Sequence, residues 1–170
     1  DCECEPQWAA EPSITLRSTG ALLRVEHSIT GPVRVLGDET RYDPSVIRIS
    51  DSIVDAAHDG ALVLGDERCG PAFAVLHIAR STVIGNLHVH ALALAENSIF
   101  MGRVLVARRQ QGCVRFCYVA PGSRTPQRFH CQPGPDNDLR VRPRFTSTRY
   151  GAPGYCQLAL NCAEEIVRGV

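Results

Sequence analysis

Apolar and polar residues alternate along this chain in short runs, and the runs repeat. The repeated pattern is two apolar residues flanking a polar one, two further positions, a Ser, and an apolar residue at or just after it. It reads Leu23-Arg-Val25-Glu-His-Ser28-Ile29, Ile47-Arg-Ile49-Ser-Asp-Ser52-Ile53 and Leu76-His-Ile78-Ala-Arg-Ser81-Thr-Val83. A looser copy, Leu92-Ala-Leu94-Ala-Glu-Asn-Ser98-Ile99, carries one extra residue before the Ser, and Cys113-Val114 is expected to continue the series in the Ser–apolar slot. After each copy comes a turn and a second alternating run: Val33-Arg-Val35, Leu62-Val-Leu64, Leu87-His-Val89 and Val104-Leu-Val106. Gly31, Gly85 and Gly102 fall in equivalent turns.

Alternation with a period of two predicts strands with one buried face. The Ser-to-Ser intervals are 24, 29 and 17 residues, with 15 more to Cys113. Self-similarity at this spacing marks a solenoid, because a single unit cannot bury its apolar face and stacks on the next. The pattern therefore predicts an all-β protein: a single-stranded parallel β-helix of about five coils over residues 14–119. Right-handed winding suits the irregular intervals, since a left-handed hexapeptide helix steps by a stricter six residues. Loops rich in Gly, Pro and Asp are expected at Gly37–Ser45 and Gly65–Phe73. Ser28, Ser52, Ser81 and Ser98 would stack as a ladder at one turn. An antiparallel sandwich would not repeat one residue type in one slot. Residues 1–13 read as an N-terminal extension. Residues 120–170 read as an irregular cap and C-terminal segment, with a short helix near Ala163–Arg168.

Charge changes this picture. Lys and Arg total 18 and Asp and Glu total 18, so the formal net charge is zero. Zero net charge gives no global attraction to nucleic acid or an anionic membrane, so nucleic acid is not expected as a partner. The neutral total conceals an asymmetry. Residues 1–100 carry a net charge of −7 and residues 101–170 carry +7, and seven of the ten aromatics lie between Phe100 and Tyr155. Arginine among aromatics can grip carboxylate or phosphate and stack on rings. Arg108, Arg109, Arg115, Arg124, Arg128, Tyr118 and Phe129 are accordingly the candidate binding residues. The competing reading is that these arginines satisfy exposed carbonyls where the solenoid ends.

All 18 basic residues are Arg. Without Lys there is no phosphate-loop lysine, no Schiff-base lysine and no lysine general base. Eight Cys occur without a C-x-x-C spacing, which disfavours a zinc ribbon. Cys113 and Cys117 in one strand would stand about 13 Å apart, too far to bridge each other. Cys156 and Cys162 could pair across a loop; buried free thiols are the alternative.

Other candidate chemistry is sparse. His88 and His90 would face outward on one strand about 7 Å apart. His77 would lie one strand earlier, which makes the three weak metal-ligand candidates. Asp51, Asp55, Asp59, Asp66 and Glu67 could supply paired carboxylates for glycoside chemistry. They fall at turns, where Asp is favoured for bonding its own backbone. No nucleophile elbow, zincin motif or Gly-rich phosphate loop occurs. No cofactor is expected, and no apolar run is long enough to span a membrane.

Two long segments add a resemblance. One is Ala107-Arg-Arg-Gln-Gln-Gly-Cys-Val-Arg-Phe-Cys-Tyr-Val-Ala-Pro-Gly-Ser-Arg-Thr-Pro-Gln-Arg-Phe-His-Cys-Gln-Pro133. The other is Arg142-Pro-Arg-Phe-Thr-Ser-Thr-Arg-Tyr-Gly-Ala-Pro-Gly-Tyr-Cys-Gln-Leu-Ala-Leu-Asn-Cys-Ala-Glu-Glu-Ile-Val-Arg-Gly-Val170. With Ser52-Ile-Val-Asp55 and Ser81-Thr-Val-Ile-Gly85, they resemble uncharacterised bacterial β-helical proteins found beside phage-tail-like contractile injection systems. The resemblance implies no catalytic residue. It implies a bacterial protein, cytoplasmic or particle-associated, of which this chain is a fragment. The function expected is a non-catalytic structural or partner-binding β-helix module, with a protein partner or self-association. The alternative is a carbohydrate-active enzyme, lyase or hydrolase, or a glycan-binding domain.

Overall fold

The computed structural model describes residues 8, 11–18, 20–37, 43–58, 60–134 and 140–168. Most of the expected N-terminal extension, Cys2, Cys4, the middle of the Gly37–Ser45 loop and Asp59 lie outside the described residues. The first strands are β1 (Ile14–Leu16), β2 (Leu22–Glu26) and β3 (Ile29–Thr30), followed by β4 (Val33–Val35), β5 (Ser45–Ser50) and β6 (Ile53–Asp55). Next come β7 (Leu62–Gly65), β8 (Ala72–Ala79), β9 (Thr82–Ile84), β10 (Asn86–Glu96) and β11 (Ile99–Phe100). The series ends with β12 (Val104–Arg108), β13 (Cys113–Arg115), β14 (Tyr118–Val119), β15 (Gln127–Phe129) and one short helix, α1 (Glu164–Val167).

Every pairing between these strands is parallel. They form a five-stranded sheet, ordered β14-β11-β9-β6-β3, and a strongly curled ten-stranded sheet. The curl comes from β10. Its first residues pair with β7 and β12, and its later residues pair with β8 and β13. Three faces result, and the arrangement is consistent with a parallel β-helix.

The alternating sequence explains the interior. Val25, Ile49, Ile78, Ala95 and Val114 succeed one another in register, strand to strand, and all are buried. Val33, Leu64, Leu87 and Val104 do the same on the neighbouring face. Full burial of a Val, Leu or Ile side chain contributes about 1.5–3 kcal/mol. The extra residue in the fourth copy is a register shift between Leu92 and Leu94. A bulge absorbs it, so Ala95 rather than Leu94 takes the fully buried slot.

The corner between the curled and flat sheets is built from local backbone geometry. His27, Asp51, Arg80, Asn97, Phe116 and His130 all have positive φ, between 46° and 52° among Asp51, Arg80, Asn97, Phe116, His27 and His130. The residue after each one stacks along the axis. Backbone N–H groups of Ser28, Ser52 and Ser81 donate to the hydroxyls of Ser52, Ser81 and Ser98 at 3.1–3.2 Å. Each of the four hydroxyls donates at 2.7 Å to the carbonyl two residues before it. The Ser52, Ser81 and Ser98 hydroxyls thereby both donate and accept along the ladder.

Cys113 does not continue this series. It lies within β13, opposite Leu94. Cys117 takes the next slot, following Phe116 with its positive φ, and its thiol donates to the Arg115 carbonyl at 3.1 Å. Cys131 follows His130 in the same way and donates to Phe129 and Val114 carbonyls. The slot is set by the left-handed residue before it, and a thiol reproduces the small donor that Ser supplies.

Glycine is required where turns stack. Gly102 lies against Gly85, and a Cβ on Gly102 would overlap the Gly85 carbonyl. Beyond β15 the interior column ends: Arg128 sits in register with buried Val114. Its guanidinium donates to the Ser123 carbonyl at 3.1 Å and to the Thr125 hydroxyl at 2.9 Å. An arginine in an inward slot offers a following strand no apolar partner.

The C-terminal segment does more than follow the last strand. Phe145 bridges Leu158, Ser147 bridges Tyr155, and Arg140 pairs with Glu165 at 2.6 Å. Tyr155 reaches back to Asp55 in β6, three strands from β14 in the flat sheet. All six described cysteines are free, so Cys156 and Cys162 do not bridge each other. No helix among the described residues is long and apolar enough to cross a membrane.

Candidate functional site

Among the seven arginine and aromatic candidates, strand register places Arg115 beside Phe129. Arg108 and Arg109 are exposed at the end of β12. Arg115 grips Glu96 through Nε at 3.0 Å and a terminal nitrogen at 2.5 Å. Arg124 exchanges backbone bonds with Val104 and Val106. Arg128 closes the interior column as described. Tyr118 is buried, and its ring offers no open face. Phe129 is exposed and packs with Phe116 and His130, with ring centroids 5.8 and 4.2 Å away. The Arg115 and Arg128 guanidiniums thus serve the chain's own carboxylate, hydroxyl and backbone groups.

The histidines also separate. His88 does point away from the interior, between buried Leu87 and Val89, yet it is buried itself. The Asp66–Gly70 loop covers it, and its Nδ1 lies 3.0 Å from the Cys69 carbonyl. Burial pushes the His88 imidazole below its usual pKa. His90 packs edge-on against Phe73, with centroids 5.0 Å apart. His77 lies beside Arg48 in register, and burial together with that guanidinium lowers its pKa. No group of three or more His, Cys, Asp and Glu able to hold a metal occurs among the described residues.

The acids are used locally. Asp66 Oδ1 accepts from the Arg68 and Gly70 amides at 2.8 and 2.5 Å. Asp51 takes a two-pronged bond from Arg80, both contacts at 2.6 Å, which holds its carboxyl below the usual carboxylate range. Glu67 is exposed on the same loop as Asp66.

Asp55 has a different setting. It ends β6 at the mouth of a cleft of about 420 Å³ between the flat sheet and the Tyr150–Tyr155 turn. Ser13, Ile29, Thr30, Gly31, Ala57, Tyr150 and Tyr155 complete the lining. Asp55 Oδ1 accepts from the Ala57 amide at 2.7 Å, and Oδ2 accepts from the Tyr155 hydroxyl at 2.5 Å. Burial and this bond to a carboxylate push the Tyr155 hydroxyl well above its usual pKa, so it stays protonated and donates. The Tyr150 and Tyr155 rings meet edge-on, 5.7 Å apart at 87°, and both line the cleft. The cleft lies where the acid-rich part of the chain meets the arginine–aromatic part. The sequence marks Asp55 as a possible carboxylate and carries Tyr150 and Tyr155 within the 142–170 segment, with nothing to join them. The separation of 100 residues between Asp55 and Tyr155 hid the pairing.

Chemically, this cleft presents one carboxylate, two aromatic faces and the Ser13 and Thr30 hydroxyls. Acid–base hydrolysis of a glycoside needs two carboxyl groups across the bond, and the described lining supplies one. The chain matches no known family model, and neither a curated protein nor a solved structure is similar to it.

Proposed function

We propose that this chain is a non-catalytic, partner-binding module, built as a right-handed single-stranded β-helix of about five coils. In this reading the irregular segment 120–170 serves as its cap and flank. Right-handed crossovers between parallel strands are the strong default, which supports that winding. The observation that carries the reading is the state of Asp55. It is the one carboxylate among the described residues lining the cleft, and each of its oxygens accepts from one of the chain's own donors. A general acid or nucleophile in glycoside chemistry needs a second carboxyl group to complement it, and the described lining supplies none. Asp55 acts instead as a fixed charge that anchors the Tyr155 turn.

The resemblance of segments 107–133 and 142–170 to proteins beside contractile injection systems directs where the partner is sought. The test is affinity capture with the full-length protein from its native host, followed by identification of the bound proteins. Recovery of tail-tube or baseplate components is expected. Release of sugar from polysaccharides by the purified protein, with no such component recovered, would overturn the reading. A glycan-binding domain is the second reading. The paired tyrosines at the cleft favour it, because sugar rings stack on aromatic faces.

A further inference from the structure

The cleft's lining is selective in a way that goes beyond partner binding in general. Asp55 carries the only formal charge among the described lining residues, so that lining is net negative. That charge is pinned rather than mobile, since the Ala57 amide and the Tyr155 hydroxyl each hold one oxygen. Each carboxylate oxygen still keeps lone-pair capacity for a further partner. Beside it, two phenol rings meet at 87° with centroids 5.7 Å apart. The faces of aromatic rings carry negative potential and attract cations, most strongly those too weakly hydrated to prefer water.

Exposure points the same way. Tyr150 is 73% exposed and Ile29 is 52% exposed, although both line a concave site. They present apolar surface that no segment among the described residues covers. A ligand that is apolar on its outside and positive in charge would cover this surface and answer Asp55 together. A neutral sugar fits less well, because it needs several free polar partners. Here the Thr30 hydroxyl is already directed to the Gly31 carbonyl at 3.4 Å.

We infer that the Asp55–Tyr150–Tyr155 cleft binds an alkylated ammonium group, such as a methylated lysine side chain or a choline-type headgroup. The chain has no lysine, so it cannot supply a lysine-derived occupant to a second copy of itself. The inference rests on the partner-binding reading and names the chemistry the cleft would select.

The test is calorimetric titration of the purified full chain with four probes: choline, a trimethyllysine peptide amide, 3,3-dimethylbutanol and methyl glucoside. Dimethylbutanol replaces the quaternary nitrogen of choline with carbon and keeps its shape. The cations are expected to bind about tenfold or more tightly than dimethylbutanol, the discrimination a partly desolvated cation–π site gives. Trimethyllysine peptide binding above choline assigns a protein source, and the reverse assigns a small-molecule or lipid headgroup. Tyr150→Ala is expected to weaken choline binding about tenfold, and the exposure of this side chain leaves the fold unaffected. Asp55→Asn is expected to weaken the cations while leaving dimethylbutanol unchanged. Tyr155→Phe, which keeps the ring, controls for loosening of the turn. Equal binding of dimethylbutanol, preference for methyl glucoside, or no binding by any probe would overturn the inference. Retained capture of tail components under those outcomes leaves the broader reading standing, whereas sugar release removes it.

Discussion

Tyr155 donates its hydroxyl hydrogen to Asp55 Oδ2 at 2.5 Å, across 100 residues of sequence. This bond holds the Tyr150–Tyr155 turn against β6 and forms one wall of the cleft. A hydrogen bond to a charged acceptor contributes about 1.5–3 kcal/mol. Tyr155→Phe is therefore expected to lower stability by about 1.5 kcal/mol, at the lower end because the site is partly open. Limited proteolysis should cut the 140–168 segment faster while β2–β13 stay protected. Unchanged cleavage of that segment would show that the bond does not hold it.

Ser81 occupies the middle of the corner ladder. Its hydroxyl accepts from the Ser52 amide and donates to the Ala79 carbonyl, in a buried setting. Ser81→Ala leaves the Ser52 amide without its partner, although the Ala79 carbonyl keeps the Asp51 amide at 3.1 Å, and should cost about 1–3 kcal/mol in urea unfolding. Ser81→Cys should cost less, because Cys117 and Cys131 already fill equivalent slots. Equal losses for the two variants would contradict the ladder's role.

The Cys117 thiol is pushed up from 9.0 to about 12, chiefly by burial. Between those values the unfolded chain has released the thiol proton and the native chain retains it. The native state then binds more protons, so this group makes stability fall as pH rises from about 9 toward 12. Cys117→Ser, which matches the other rungs, is expected to flatten the decline in urea midpoint across that range. Burial raises Cys131 and Cys156 as well, so part of the decline should persist. Identical pH profiles for wild type and variant would refute this account.

Arg128 stands where the interior column meets the end of the curled sheet. Arg128→Leu would present an apolar inward slot on an edge strand, the condition for edge-to-edge pairing. Sedimentation should show concentration-dependent association of the variant beyond that of wild type. A variant that sediments as wild type does would show that other groups protect this edge.

The two-residue alternation exposed the strands, and the repeated Ser marked the corner. What the pattern misplaced is instructive. Cys113 was expected at the corner because Val114 follows it, but the slot depends on a left-handed residue just before it, and Phe116 gives no sequence sign of one. His88 was expected on the surface because its neighbours are inward, yet the Asp66–Gly70 loop folds over it. Alternation reports the side of a strand a residue is on. It does not report what covers that side.

The sequence by itself determined the parallel, stacked character of the chain. Each unit's apolar stripe is too small to bury alone, so it selects copies of itself as partners, and that requirement is local and periodic. Only the tertiary structure decided where charge and aromatic rings meet. The Asp55–Tyr155 contact depends on how an aperiodic segment folds back along the flat sheet. Such contacts are single, long-range and specific to side chains, so no repeating pattern encodes them.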